Sequence, residues 1–221
     1  MQRAVWRYRA GILKKLQPIH LLIVNGDCID GKGERSGGTE LIEPDRTEQV
    51  QMAIRCIEQA RAKNVVMTFG TPYHTGVTED FERMISDAVG AKIGSHEWID
   101  VNGIIFDCKH KINSSVIPHG RHTAIARDHL WNQLWSIDDS QPLADIVIRS
   151  HVHYCTFNGD PDYLAITTPG LQGYGSKYGS RQCSGKVHIG LVSFDINDKG
   201  GYSWLPHVMK SELQKAKALK L

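Results

Sequence analysis

Four apolar runs in this chain are followed at once by side chains that bind metal ions or move protons. Asp27 and Asp30 come after Ile19 to Val24, His74 after Val65 to Phe69, His110 after Ile104 to Cys108, and His151 and His153 after Asp145 to Arg149. Runs of this length and composition read as strands. Loops at the carboxyl ends of strands that share a sheet edge converge, so these residues are expected to meet in one site. Mixed imidazole and carboxylate ligands suit Mn, Fe, Zn or Ni ions better than Mg or Ca.

The elements that must position them follow from periodicity. Val5, Tyr8, Ile12 and Leu16 recur at helical spacing and lead into the first strand, which stops at Asn25-Gly26-Asp27. Gly31 to Pro44 has no period and reads as a loop. Val50, Ala53, Ile54, Ile57 and Ala60 mark a helix before the strand Val65 to Phe69, and the loop GTPYHTG follows. Phe81, Met84, Ile85 and Val89 give another helix. Asn102-Gly103 between Trp98 to Val101 and Ile104 to Cys108 is a tight-hairpin signal. A helix over about Ala124 to Trp135 and strands at Leu164 to Thr167, Val187 to Ile196 and Tyr202 to Val208 complete a layered α/β sandwich. Residues 1–221 read as one domain, with a basic helical tail over 209–221.

In chain order these residues resemble the motifs of the calcineurin-like metallophosphoesterases, which run DxH, GDxxD, GNH followed by an acid, a lone His, and GHxH. Gly26-Asp27-Cys28-Ile29-Asp30 matches GDxxD, and Ser150-His151-Val152-His153 matches GHxH with Ser in place of Gly. His110, in FDCKHKINSS, stands in the lone-His place, and Gly70-Thr71-Pro72-Tyr73-His74 matches GNH weakly, with Thr71 where the family has a ligating Asn. No DxH precedes Asp27. His20 cannot replace it, because it starts the strand that Asp27 ends and so lies roughly 20 Å away at about 3.3 Å per residue.

The resemblance implies a four-layer α/β/β/α sandwich of two mixed sheets, lacking its first strand, with a site for two divalent transition metal ions, Mn foremost. It implies that Asp27 bridges the two ions, that Asp30 orients the site, that His151 serves the second ion and His153 the first, and that His74 is either a catalytic acid or a ligand. With DxH absent, one ion held by Asp27, His110 and His151 is expected to be better bound than the other. The implied chemistry is hydrolysis of a phosphate ester. GTPYH and KHKINSS are most similar to phage- and prophage-encoded, nuclease-like members, which points to a phosphodiester in DNA or RNA. The alternative is a degenerate, non-catalytic module that binds metal and phosphate or nucleic acid. The missing strand would also leave an open sheet edge for self-association, unless the first helix covers it.

The bulk properties fit this picture. A formal net charge of +2 from interspersed charges gives no general attraction to polyanions, so contact with nucleic acid requires a local patch. Lys109, Lys111, Arg121 and Arg127 around His110 and its following loop are the candidates for one that binds phosphate. Cys28, Cys56, Cys108, Cys155 and Cys183 form no CxxC pair, and no stretch has the length of a spanning helix, so a cytoplasmic protein without membrane contact is expected. His96, His119, His122, His129 and His188 lie outside the motifs and read as structural or surface residues. Trp131 and Trp135, at helical spacing, read as core.

Overall fold

The computed structural model describes residues 2–34, 37–172, 186–209 and 218–220. Most of the expected tail, together with Cys183, lies outside the described residues. The elements are α1 (Gln2–Lys15), β1 (Leu21–Asn25), α2 (Arg46–Glu58), β2 (Asn64–Thr68), α3 (Pro72–Thr75), α4 (Phe81–Val89), β3 (Lys92–Gly94), β4 (Glu97–Val101), β5 (Ile104–Lys109), α5 (Gly120–Ile137), β6 (Ile146–Arg149), β7 (Thr156–Gly159), β8 (Leu164–Thr167), β9 (Gly190–Ile196) and β10 (Tyr202–Val208). Among the described residues no helix is long and apolar enough to cross a membrane.

Alternation along β1 shows how the layers stack. Leu22 and Val24 point to one face and pack with Val50, Ala53 and Ile57 of α2 and with Phe81 and Ile85 of α4. Ile23 points to the other face, where Phe106, Ile146 and Ile148 of one sheet meet Val192 and Phe194 of β9. On the far side of that sheet, Val147 and Ala165 pack under Ala124 and Ile125 of α5. The result is helix, sheet, sheet, helix. α2 and α4 start where side chains fill the cap: Asp45 accepts from the amides of Thr47 and Glu48, and Asp80 from that of Arg83.

The first sheet has the order β1-β2-β3, all parallel, and the second has the mixed order β4-β5-β6-β8-β7. Among the described residues β9 and β10 pair only with each other, in an antiparallel ribbon that shares a core with β1 without joining its sheet. Among those residues β1 is an edge strand. α1 bridges this region: its Arg9 donates to Gln59 Oε1 at 2.8 Å and also reaches the Cys56 carbonyl, while the helix packs on β9.

Some expectations needed adjusting. The first strand runs from Leu21 to Asn25, β9 begins only at Gly190, and the GTPYHTG loop contains one helical turn, α3, started by Pro72. β3 and β7, with three and four residues, were too short and too weakly alternating to be read. Trp131 and Trp135 are not core: they are 53% and 47% exposed, because α5 turns Ala124, His129 and Asn132 to the sheet instead. His96 is only partly exposed. It stacks on Trp98 and meets the buried carboxylate of Asp107 at 2.6 Å.

Candidate metal centre

The parallel strands β1, β2, β5 and β6 bring their carboxyl ends together, and Asn25 fastens them. Its amide nitrogen donates to Ser150 Oγ at 2.8 Å and to the Lys109 carbonyl at 3.2 Å, and its amide oxygen accepts from Thr68 Oγ1 at 2.7 Å. Ser150 Oγ also bonds Thr168 Oγ1 at 2.8 Å, which gives the serine at the head of SHVH a task that glycine could not perform. Four strand ends are thus held in register within one polar cluster.

The loops leaving these strands are tightly bent. Asp27, His151 and His153 all have positive φ, at +53°, +67° and +54°, a conformation that side chains tolerate when the surroundings enforce it and that clusters at functional sites. Close backbone approach makes the glycines obligatory. A Cβ on Gly26, itself at φ +78°, would lie 2.6 Å from His110 Nδ1, and one on Gly70 would overlap the Asp27 amide and carboxylate.

Three ligand atoms meet there: a carboxylate oxygen of Asp27 and one ring nitrogen each from His110 and His151 all lie within 4.8 Å of one another. His110 Nε2 is 2.9 Å and His151 Nδ1 3.7 Å from Asp27 Oδ2. All three atoms are buried, and among the described residues none has a hydrogen-bond partner. Orphaned buried polar atoms are costly and rare. A divalent ion satisfies all three at once, and the donor set is the one that borderline transition ions prefer.

The surroundings prepare the ligands. His110 Nδ1 lies 2.6 Å from the Asn25 carbonyl, which can only accept, so Nδ1 carries the proton and Nε2 presents a lone pair. Thr71 donates from its amide at 2.7 Å and its hydroxyl at 3.1 Å to Asp27 Oδ1, leaving Oδ2 for the cluster. Burial opposes the Asp27 charge, but His110 and His151 outweigh it and hold the carboxyl well below the usual range. Burial pushes His153 below its ordinary range, with Asp27 opposing. His153 stands beside Gly170 and outside the three-residue cluster.

His74 Nδ1 lies 3.1 Å from the Asp30 carbonyl, which leaves Nε2 facing Asp27 Oδ2 at 3.8 Å. Asp30 thus touches His74 through its backbone oxygen, and its side chain instead accepts from Gln172 at 3.4 Å. Of the candidate phosphate binders, Lys109 Nζ lies 3.8 Å from Asp128, Arg121 stacks over Tyr154, and Lys111 is exposed. Among the described residues no contact joins these three.

Two supports escaped the sequence reading. Glu82, fully buried, accepts from the Cys28 amide at 2.9 Å and the Gly70 amide at 2.6 Å, bracing the Asp27 loop against the Thr71 loop. Burial pushes its pKa up, and the two amides oppose that. Its spacing with Ile85, Ser86 and Val89 on the inward stripe of α4 was the available signal. Arg149, also buried, donates to Asp107 Oδ1 at 2.8 Å and Asp128 Oδ2 at 2.7 Å, tying β5 to β6 and α5 just before both histidine loops.

A solved archaeal phosphodiesterase shares this architecture with 17% identity and a TM-score of 0.50, covering 93% of this chain and 92% of its own. The fold is that of the metallophosphoesterases. Weaker likenesses are a Vps29 double mutant from Entamoeba histolytica, at 13% identity, TM-score 0.48 and 90% and 89% coverage, and Vps29 from Cryptosporidium parvum, at 12%, 0.41, 85% and 97%. No protein-family profile and no curated protein matches the chain.

Proposed function

We propose that this chain is a metal-dependent phosphoesterase acting on phosphodiesters, with a DNA or RNA backbone as its substrate class. What carries the reading is the meeting of Asp27 Oδ2, His110 Nε2 and His151 Nδ1, buried and unbonded, on a fold shared with an archaeal phosphodiesterase. Mn is the preferred ion, with Fe, Zn and Ni as alternatives of similar ligand taste. When bound, such an ion supplies positive charge to a phosphoryl oxygen and a nucleophilic water at neutral pH.

The chain's own residues do the rest. Asp27, His110 and His151 fix the ion's place. His74, held through Nδ1, presents Nε2 to the site and, once protonated there, donates to the leaving oxygen. Lys109 at the end of β5, Lys111 in the loop after it and Arg121 at the start of α5 supply cationic charge and draw the phosphodiester in.

Thr71 favours a second reading. Its amide and hydroxyl are both committed to Asp27, so among the described motif residues a second ion is left with Asp27 and His153, joined by His74 if that residue serves as a ligand. A one-ion site without turnover would make the protein a binding module for metal and phosphate. Hydrolysis of bis(p-nitrophenyl) phosphate with Mn separates the two. The enzyme reading expects Mn-dependent turnover that Asp27→Asn abolishes, and metal binding without turnover supports the module instead.

A further inference from the structure

α5 is buried on one side only. Ala124, Ile125, His129 and Asn132 face the sheet, while Leu130, Trp131, Leu134, Trp135 and Ile137 stand 53%, 53%, 45%, 47% and 76% exposed. Given the size of tryptophan and leucine side chains, these five present roughly 600 Å² of apolar surface, the upper end of what monomers normally carry as their largest patch.

The charges around the patch are ordered too. Arg127, Trp131, Leu134 and Asp138 fall at i, i+4, i+7 and i+11, which places them in one stripe along the outer face. Arg127 and Asp138 are exposed, and neither side chain has an ion-pair or hydrogen-bond partner among the described residues. The stripe reads cation, aromatic, aliphatic, anion. Reversed, it is its own complement.

We propose that this face docks a second copy of the chain, with the two α5 helices antiparallel about a two-fold axis between Trp131 and Leu134. In that arrangement each Trp131 lies on the other copy's Leu134, and Arg127 of each copy meets Asp138 of the other at both ends. The charges are about 16 Å apart along the helix axis, and one symmetric crossing brings both pairs into register. A parallel pairing would oppose like charges. Two such patches bury about 1,200 Å² together, which reaches the lower bound of specific interfaces. Asp138 and Asp139 at the patch border speak against an anionic lipid surface as the occupant.

Sedimentation velocity of the full chain from about 1 to 100 µM tests this. The wild type is expected to pass from monomer to dimer over that range. Arg127→Asp and Asp138→Arg should each weaken dimerisation about tenfold or more, and combining them should restore it, because the swapped charges again meet their opposites. Trp131→Glu should abolish it, with the thermal melt of each variant unchanged because all of these side chains are exposed. A wild type that stays monomeric, one that stays monomeric yet sediments with anionic vesicles, a double swap as weak as the single variants, or association that survives Trp131→Glu through another surface such as the β1 edge overturns the proposal.

Discussion

The carbonyl oxygen of Asn25 accepts the Nδ1 proton of His110 at 2.6 Å, and this bond connects the end of one sheet to the ligand face of a histidine on the other. The same residue's side chain holds Lys109, Ser150 and Thr68. Backbone and side chain of Asn25 thus have separable roles, one setting the tautomer of His110 and the other the relative position of four strand ends.

Asn25→Ala keeps the carbonyl but removes the clamp. Metal affinity is expected to fall about 10- to 100-fold, the range seen when groups behind the ligands are lost. Calorimetric titration with Mn checks this, and an unchanged affinity would show that the strand ends hold their spacing without it.

Glu82→Gln leaves the packing of α4 in place but substitutes a donor for one of two acceptors. Either the Cys28 or the Gly70 amide then loses its partner, at a cost of about 1–3 kcal/mol. Chemical denaturation should show that loss, and metal titration a weaker site.

Gly70→Ala should be far more damaging than Gly90→Ala. The first puts a methyl group onto the Asp27 amide and carboxylate, while the second meets open space and carries only the strain of φ +67°. We expect Gly70→Ala to bind no metal even if it folds, and Gly90→Ala to retain the site with about 1 kcal/mol lost. Equal metal affinities in the two variants would refute the close approach of the loops.

Asp107 links stability to acid pH. Burial opposes its charge, but His96 and Arg149 outweigh burial and bring its pKa from 3.8 down to about 2. A depressed carboxyl contributes fully above its unfolded pKa and loses that contribution as pH falls toward 2. The shift corresponds to about 2 kcal/mol. Asp107→Asn should lower Tm at pH 7, since it leaves Arg149 buried with one anion fewer, and should flatten the drop in Tm between pH 4 and pH 2. A drop as steep as that of the wild type would exclude Asp107 as its source.

The sequence made the candidate ligands legible because each lies just past an apolar run, in a turn whose motif is local. Asp27, His110 and His151, which the structure brings together while His153 stands outside the cluster, are of that kind. Asn25 and Glu82 are not, since their partners are 84, 125, 54 and 12 residues away and no local period encodes those contacts. α5 shows the opposite failure. Its i, i+4 tryptophans gave the helix correctly, but periodicity identifies a stripe and not its direction, and here the tryptophan stripe faces solvent while Ala124, Ile125, His129 and Asn132 meet the sheet. The open side of β1 is expected from the absent DxH motif and not from the strand's own composition, and among the described residues β1 pairs with β2 alone.

Metal content after equilibrium dialysis against Mn, compared between the wild type and Asp27→Asn, tests the central claim most directly. Asparagine tolerates the left-handed backbone that Asp27 adopts at φ +53°, so the variant removes the charge and spares the turn. The Asp27, His110 and His151 site predicts at least one Mn per wild-type chain and affinity lower by at least about 100-fold in the variant. Equal Mn content in both proteins, or none in either, would contradict it.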